Sequence, residues 1–157
     1  MGFAHRYSAR LPDWLNCRKE MASRADVQRI ALSLPGAEKA ADHFAFGIRR
    51  KGKLKGFAWV WLERVTPKKP RVANPRVLAV RVLNLAEKER LLDAYRQELF
   101  TEPHYEGFPA VLVRLELVRV PLLRALLTEG WRCQATSDLR LIGPKPMTPR
   151  RQRNTAR

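Results

Sequence analysis

The sequence predicts an α+β domain, an antiparallel β-sheet with helices packed on one of its faces. Apolar residues recur with the period of an α-helix in three separate segments, and between the first two lie three consecutive strand-like runs. The connections between these runs are too short to contain a crossover helix, so neighbouring strands should pair antiparallel. At 157 residues and 45% hydrophobic composition, the chain is long enough for one compact core but short for two full domains.

The first helix is predicted to begin after Ser23, whose hydroxyl suits the N-cap position. Its apolar side follows the spacing i, i+3, i+4, i+7 through Val27, Ile30, Ala31 and Leu34. Pro35 and Gly36 should end it, because proline cannot continue a helix and glycine favours its C-terminal turn. This pattern predicts an amphipathic helix that packs on the sheet.

Three strands should follow, at residues 43–48, 56–65 and 77–83. The first alternates, with Phe44, Phe46 and Ile48 on one side; the second is apolar on both sides; the third sets Leu78, Val80 and Val82 opposite Arg81. The two connections read RRKGKLKG and TPKKPRVANP. Their glycine and proline content marks them as turns, and both are strongly basic.

The second half of the chain should hold a helix, a strand and a further helix. The helix is predicted from Asn84, with Glu87 at the N3 position of a capping-box-like start and apolar surface from Leu85, Leu92 and Tyr95. Residues 110–117 should form a strand with Val111, Val113, Leu115 and Leu117 pointing inward. Residues 120–134 should form the last helix, packed through Leu122, Leu123, Leu126 and Leu127.

The chain is predicted to comprise a loose N-terminal extension (residues 1–22), one domain (residues 23–136) and a disordered basic tail (residues 137–157). Met21 stands directly before the first helix, so translation from Met21 and a genuine extension are both open. Cys17 and Cys133 form no CxxC pair, and neither a signal-peptide hydrophobic region nor an apolar run of the roughly 18–20 residues that span a bilayer is present. These observations predict a soluble, cytoplasmic protein with free thiols.

Positive charge is concentrated rather than spread along the chain. The formal net charge is +16, and residues 49–81 hold 11 basic side chains against one acid, Glu63. If the strands pair as predicted, the basic residues surround two consecutive turns: Arg49, Arg50, Lys51, Lys53 and Lys55 at the first, and Lys68, Lys69, Arg71 and Arg76 at the second. Basic turns on a sheet suit a phosphate backbone. The alternative is that they are solvated and protect the sheet from edge-to-edge aggregation.

The aromatic run between the two turns also permits two interpretations. Phe57, Trp59 and Trp61 should project from one face of their strand. Exposed rings there could stack on bases, with Arg81 or Arg114 as cation–π partners. A strand that is apolar on both sides is more typical of a buried position, so core packing is the favoured interpretation.

The segment His104-Tyr105-Glu106-Gly107 is the best catalytic candidate, since an imidazole and a carboxylate can exchange protons. No nucleophile elbow, HExxH pair or glycine-rich phosphate loop accompanies it, which favours a role in fixing the turn. His43 and the other scattered histidines and cysteines lack metal-ligand spacing, and Cys133 should pack as a small apolar residue. The sequence therefore predicts no catalytic residue, metal, cofactor or small-molecule substrate.

Two blocks of the sequence carry a resemblance to a known family. ALSLPGAEKAADHFAFGIRRKGKLKGFAWVW resembles the opening helix, LPG turn and first hairpin of the small bacterial MmcQ/YjbR proteins, and FTEPHYEGFPAVLVRL with LLTEGWRCQA is similar to their C-terminal half. The resemblance covers residues 23–136 and departs from the family in the N-terminal extension and the long connection at residues 66–75. It implies a double-wing arrangement of two β-hairpins and an activity in DNA binding.

The residues and the resemblance together predict a non-enzymatic protein that binds DNA with weak sequence specificity. The contacts should be made to phosphates by the two basic turns, assisted by the basic tail. The alternative is an adaptor module whose basic turns bind an acidic protein partner. A small-molecule enzyme using His104 and Glu106 would require a concave pocket around their turn.

Overall fold

The computed structural model of the protein describes residues 21–145. Along this range the elements run in the order α1 (Arg24–Ser33), β1 (Ala37–Lys39), β2 (Ala45–Arg50), β3 (Lys53–Glu63), β4 (Val72–Arg81), α2 (Leu85–Ala94), β5 (Leu99–Phe100), a 3-10 turn (Pro103–Tyr105), β6 (Ala110–Arg114), α3 (Val120–Gln134) and α4 (Ser137–Ile142). The strands form one antiparallel sheet in the order β1-β2-β3-β4-β6-β5. The predicted α+β class is confirmed. None of the helices within residues 21–145 has the length and apolar character required to cross a bilayer.

The helices begin where local side chains can cap them. The Ser23 hydroxyl accepts a hydrogen bond from the Asp26 amide, and the Asp26 carboxylate accepts one from the Ser23 amide, which completes a capping box at α1. The hydrogen bonds from Ser23 lower the pKa of the Asp26 carboxyl. The Asn84 side chain accepts from the Glu87 amide at the start of α2, 2.8 Å away.

The main core lies between the helices and one face of the sheet. Val27 and Ile30 of α1, Leu91 of α2 and the apolar side of α3 pack against this face. The strands contribute Phe46, Ile48, Phe57, Leu78, Val80, Val111 and Val113. Trp131 of α3 is fully buried in this core, and its indole N–H donates to the Pro35 carbonyl at 2.8 Å. Burial of this single apolar face supplies most of the driving force for packing the helices on the sheet.

The opposite face of the sheet carries a smaller apolar cluster. Trp61, Val77, Ala79 and Leu112 are its buried members. Trp59, Phe100 and Tyr105 pack against them, so the 3-10 turn covers part of this face through Tyr105. The second face is therefore covered by a loop segment and not by a helix.

The prediction that Phe57 lies on the same face of β3 as Trp59 and Trp61 is wrong. Gly47 pairs with Gly56 while Phe46 pairs with Ala58, so Phe57 is an extra residue in β3 and forms a β-bulge. The bulge turns Phe57 into the helix-side core, whereas Trp59 and Trp61 remain on the opposite face. Simple alternation fails here because the bulge is set by pairing with β2.

The ends of several elements also differ from the prediction. The last strand ends at Arg114, and the following turn leaves Leu117 45% exposed instead of inward. The predicted strand at residues 43–48 begins and ends later, at Ala45–Arg50, while β4 begins earlier, at Val72. The strands β1 and β5 were not predicted, because three and two residues are too few to show a period.

Both predicted terminal segments overlap the fold. Residues 137–142, assigned to a disordered tail, form α4, in which Leu139 packs against the core beside Gly36. Ala22 is buried and its amide donates to the Val118 carbonyl, so residues 21–22 pack with the domain and not with a loose extension. The remaining parts of the two predictions, residues 1–20 and 146–157, lie outside the described residues.

The bulge in the first hairpin allows a direct test at Gly47. A Cβ atom on Gly47 would lie 2.6 Å from the Lys55 backbone oxygen, so Gly47→Ala must separate β2 from β3 and should lower the free energy of unfolding by about 1–3 kcal/mol. Gly56, its cross-strand partner, is the matched control, because a Cβ there would meet only ordinary contacts, at 3.7 Å or more. Urea denaturation of both variants measures the difference. Equal costs for the two substitutions would contradict the close approach.

Candidate nucleic-acid interface

The first basic turn closes the β2–β3 hairpin in two residues. Lys51 and Gly52 both have positive φ, 49° and 77°, which is the signature of the tight turn that suits the twist of a hairpin. Lysine is unusual at such a position, since a Cβ atom makes the left-handed conformation unfavourable. Arg50 and Lys53 face each other across the strands immediately before and after the turn. Like charges in directly opposite positions destabilise a hairpin.

Most of the charge on this hairpin is uncompensated. Arg49 is the exception, because it forms an ion pair with Glu38 at 2.9 Å and donates to the Gly52 carbonyl. The other four basic side chains are exposed and make no ion pair with any described residue: Arg50, Lys51, Lys53 and Lys55. We call these four residues the hairpin cluster. They can bind an anion without first breaking an internal salt bridge.

The C-terminal part of the described chain lies at the base of the same hairpin. Ala37, which follows Gly36, pairs with Ile48 of β2, and Leu139 of α4 packs beside Gly36. Gln134, at the end of α3, donates to the Gly56 carbonyl of β3. The helix α4 therefore lies near the end of the fold that carries the hairpin cluster, with the exposed side chains of Asp138 and Arg140.

The second basic connection, residues 64–71, is more fully engaged with the protein itself. Arg64 donates to the Pro67 carbonyl, and Arg71 donates to the Leu62 carbonyl and lies 3.7 Å from a Glu102 oxygen. Arg76, in β4, pairs with Glu116 at 3.3 Å. Within the described residues, Lys68 and Lys69 are exposed and form no ion pair.

The two basic connections do not form one continuous patch. They lie at opposite ends of β3, a strand of 11 residues. At the rise of an extended strand this separates them by roughly 30 Å. Exposed apolar side chains directly flank the second connection, where Leu62, Val65 and Val72 are at least 48% exposed, and Leu141 and Ile142 of α4 are also exposed.

The two tryptophans of β3 are largely covered. Trp61 is 8% exposed and meets the Phe100 ring edge to face, at 5.7 Å between centroids. Trp59 is half-buried, and its indole N–H donates to the Tyr105 hydroxyl at 3.1 Å. Arg114 lies over the Phe100 ring and Arg81 over the Phe108 ring, so the rings that they stack on are those of phenylalanines. The aromatic run supports the sheet in this structure; Trp61 offers little free ring surface for bases, whereas part of Trp59 lines a cleft.

The His104-Tyr105-Glu106-Gly107 segment is a turn that Lys88 holds in place. Lys88 is a residue of α2 that is only 3% exposed, and its ammonium group donates to the carbonyls of Tyr105 and Phe108. Burial lowers the pKa of the Lys88 side chain, while the nearby Glu106 carboxylate acts in the opposite direction. Tyr105 contributes through its side chain, as the acceptor for Trp59.

Sequence reasoning missed Lys88, although a signal for it was present. Lys88 precedes Leu91 by three residues, Leu92 by four and Tyr95 by seven, so it lies on the apolar side of α2. A lysine at such a position must find oxygen atoms inside the fold. Cys133, by contrast, behaves as expected of a packed thiol: it is half-buried, and burial raises its pKa.

His104 and Tyr105 border a cleft of about 410 Å³, together with His43 and Trp59. The concave surface that an enzymatic or ligand-binding role would require is therefore present at this turn. Glu106 is not part of its lining, so the predicted pairing of His104 with Glu106 for acid–base chemistry has no support in the geometry.

The chain is similar in sequence to mycobacterial proteins and similar in fold to one solved structure. No family model matches the chain. The uncharacterized proteins Mb2600 of Mycobacterium bovis and Rv2570 of Mycobacterium tuberculosis are each 37% identical to it over 128 residues, which is 76% of this chain and 93% of each relative. The crystal structure of protein DR2400 of Deinococcus radiodurans, a DUF419 domain, has a TM-score of 0.57 at 18% identity and covers 82% of this chain and 94% of its own. That likeness concerns the fold alone.

Proposed function

The chain belongs to the same family as the mycobacterial proteins Mb2600 and Rv2570, and we propose that its function is to bind DNA through the phosphate backbone, with the hairpin cluster as the main contact. The likeness to a DUF419 domain supports placing this family among the MmcQ/YjbR-like proteins. The resemblance of the sequence to that group carries the same implication. The structure of the hairpin supports the choice of its residues as the contacts.

One observation carries the proposal: the hairpin tip holds charge at a cost to its own stability. Arg50 directly opposes Lys53, and Lys51 occupies a left-handed position where glycine or asparagine would be less strained. A turn that served only to connect two strands would be more stable without these residues. A phosphate backbone between the side chains removes the repulsion and releases condensed counterions.

The geometry supports weak sequence specificity. The helices α1 and α3 pack their apolar sides on the sheet, and the charged groups lie on a two-stranded ribbon. Lysine and arginine side chains at such a tip contact phosphates, which carry no sequence information directly. Lys68 and Lys69, about 30 Å away at the strand rise of β3, would contact a separate stretch of backbone.

Charge reversal at the hairpin tests the proposal. The variant Arg50→Glu/Lys53→Glu should bind duplex DNA at least about tenfold more weakly than the wild-type chain. The slope of log affinity against log salt concentration should decrease in magnitude by about 2, because each of the two side chains loses one phosphate contact. Fluorescence anisotropy at several salt concentrations measures both quantities. Lys68→Glu/Lys69→Glu should give a smaller loss, because the second connection is a secondary contact.

The control variant changes the net charge by the same amount elsewhere. Arg96 and Arg124 are exposed and lie outside both basic connections, so Arg96→Glu/Arg124→Glu reports the effect of overall charge alone. If this control loses as much affinity as the hairpin variant, the hairpin cluster has no special role and the proposal fails.

A second candidate function is supported by the exposed apolar side chains beside the second connection. Val65 is 71% exposed and Val72 is 58% exposed, next to Lys68 and Lys69. Apolar groups beside free ammonium groups suit an acidic protein segment better than a phosphate backbone. In a pulldown, a partner that is held through DNA should be lost after nuclease treatment. An acidic protein that binds directly should be retained after nuclease treatment, and the Val65→Ser/Val72→Ser variant should no longer capture it.

A further inference from the structure

The cleft beside the 3-10 turn lies where β3 extends past the beginning of β2. The last backbone pairing of β2 with β3 is at Ala45 and Trp59, and the Val60 amide donates to the Phe44 carbonyl just beyond it. Further along β3 this edge has no β2 neighbour, and the 3-10 turn approaches with His104 and Tyr105. The resulting cleft of about 410 Å³ is within the range of small-molecule sites.

Three polar side chains of this cleft can donate hydrogen bonds into it, namely Arg71, His104 and Tyr105, and no Asp or Glu is among the described residues that line it. His43 also lines the cleft, but one of its ring nitrogens donates to Asp42 at 2.5 Å, and the other nitrogen of the neutral imidazole is an acceptor. The Tyr105 hydroxyl accepts from Trp59, so its own O–H remains to donate.

Arg71 retains donors as well. One of its nitrogens donates to the Leu62 carbonyl at 3.1 Å and lies 3.7 Å from a Glu102 oxygen. A guanidinium group has five N–H bonds, so these contacts orient it without exhausting it. Glu102 lies behind Arg71, outside the lining. The interior of the cleft therefore presents a guanidinium group, an imidazole and a hydroxyl that can donate, and no carboxylate, which suits an anion.

The rest of the lining is apolar and partly aromatic. Trp59, Val60, Leu62 and Ala73 form it, and the Tyr105 ring contributes a further planar surface. Inorganic phosphate or acetate would leave these groups without a partner. The ligand that matches both halves of the cleft is a planar, largely apolar body that carries an oxyanion.

We propose that this cleft binds a nucleoside 5′-phosphate, with the base against Trp59 and Leu62 and the phosphate among Arg71, His104 and Tyr105. The ligand could be a free nucleotide or the 5′-phosphorylated end of a strand, since both present the same group. The proposal goes beyond duplex binding by the hairpin cluster and uses none of its residues.

Isothermal titration calorimetry of the full chain with deoxyadenosine monophosphate tests the proposal. Binding should be at least about tenfold tighter than to deoxyadenosine or to inorganic phosphate, because each of these lacks one half of the ligand. His104→Ala and Arg71→Gln should each weaken it about tenfold or more. Ala73→Phe keeps every donor but fills the cleft, so it should also abolish binding.

Two comparisons make the outcome decisive. Arg124→Gln removes the same single charge as Arg71→Gln, away from the cleft, and should leave binding unchanged. Short single strands with a 5′-phosphate or a 5′-hydroxyl then identify the source: tighter binding of the phosphorylated strand than of the nucleotide assigns the site to strand ends, and equal or weaker binding assigns it to free nucleotides.

No binding of the nucleotide to the wild-type chain, or full binding by a folded Ala73→Phe variant, would overturn the proposal. Thermal denaturation establishes that each variant is folded. A separate measurement of duplex DNA binding by the wild-type chain distinguishes the two proposals. If the chain binds duplex DNA but not the nucleotide, only the proposal for the cleft is refuted. If it binds the nucleotide but not duplex DNA, only the proposal for the hairpin cluster is refuted.

Discussion

Replacing Trp131 by alanine is expected to lower the free energy of unfolding by about 3–5 kcal/mol, the usual cost of deleting a fully buried aromatic side chain. The Trp131 ring is completely buried in the main core. It also links two segments that are distant in sequence, since its N–H donates to the Pro35 carbonyl and its ring lies against the backbone of Gly143. The substitution should therefore loosen the C-terminal segment after α4 as well as the core.

Trp131→Phe separates packing from hydrogen bonding. Phenylalanine retains much of the apolar contact but leaves the Pro35 carbonyl without its donor, so it should cost about 1–3 kcal/mol. Urea denaturation of both variants gives the two values, and hydrogen exchange at residues 137–143 reports the local loosening. Equal costs for alanine and phenylalanine would show that the ring itself contributes little, contrary to its burial.

Lys88→Met is expected to lower the free energy of unfolding by about 2–4 kcal/mol, because a buried carbonyl deprived of its donor costs about 1–3 kcal/mol. Methionine matches the length and apolar stem of lysine, so the packing of α2 is retained while the carbonyls of Tyr105 and Phe108 lose their partner. The turn that they belong to should become mobile. If the cleft binds a nucleoside phosphate, its affinity for the nucleotide should fall too.

Glu89→Met is the matched control for Lys88→Met, since it places methionine at an exposed position of the same helix. Its effect should remain within about 0.5 kcal/mol. Hydrogen exchange at residues 101–109 should increase in Lys88→Met and not in the control. A cost of Lys88→Met no larger than that of Glu89→Met would show that the turn is held by other contacts.

The pH dependence of stability provides a separate signature of Lys88. Because burial lowers the pKa of the Lys88 side chain in the folded protein, the unfolded chain binds more protons between the two pKa values. Stability rises with pH wherever the unfolded state binds more protons. The wild-type chain should therefore gain stability relative to Lys88→Met as the pH increases through that window.

The elements that sequence reasoning placed best are those defined by local interactions. The α3 boundaries, Val120–Gln134, agree with the prediction, and Ser23 and Asn84 cap α1 and α2 as expected. A cap depends on atoms three residues apart, and helical periodicity on side chains within two turns. Such information is contained in a short stretch of chain.

The misassigned positions are those defined by pairing or contact with distant segments. Phe57 changes face because of a bulge against β2, and Leu117 is exposed because β6 ends at Arg114. The helix α4 has only six residues, too few to show a helical period, and is anchored by Leu139 against the core. None of these contacts can be read from the spacing of residues along the chain.

The candidate sites divide in the same way. The sequence by itself determined the α+β class, the helix starts and the location of the basic residues on two turns, because these follow from local propensity, periodicity and composition. Only the tertiary structure decided that Lys88 secures the 101–109 segment and that His43, Arg71 and His104 border one cleft. Those arrangements arise from strand pairing and side-chain packing between residues tens of positions apart, for which neither periodicity nor propensity carries information.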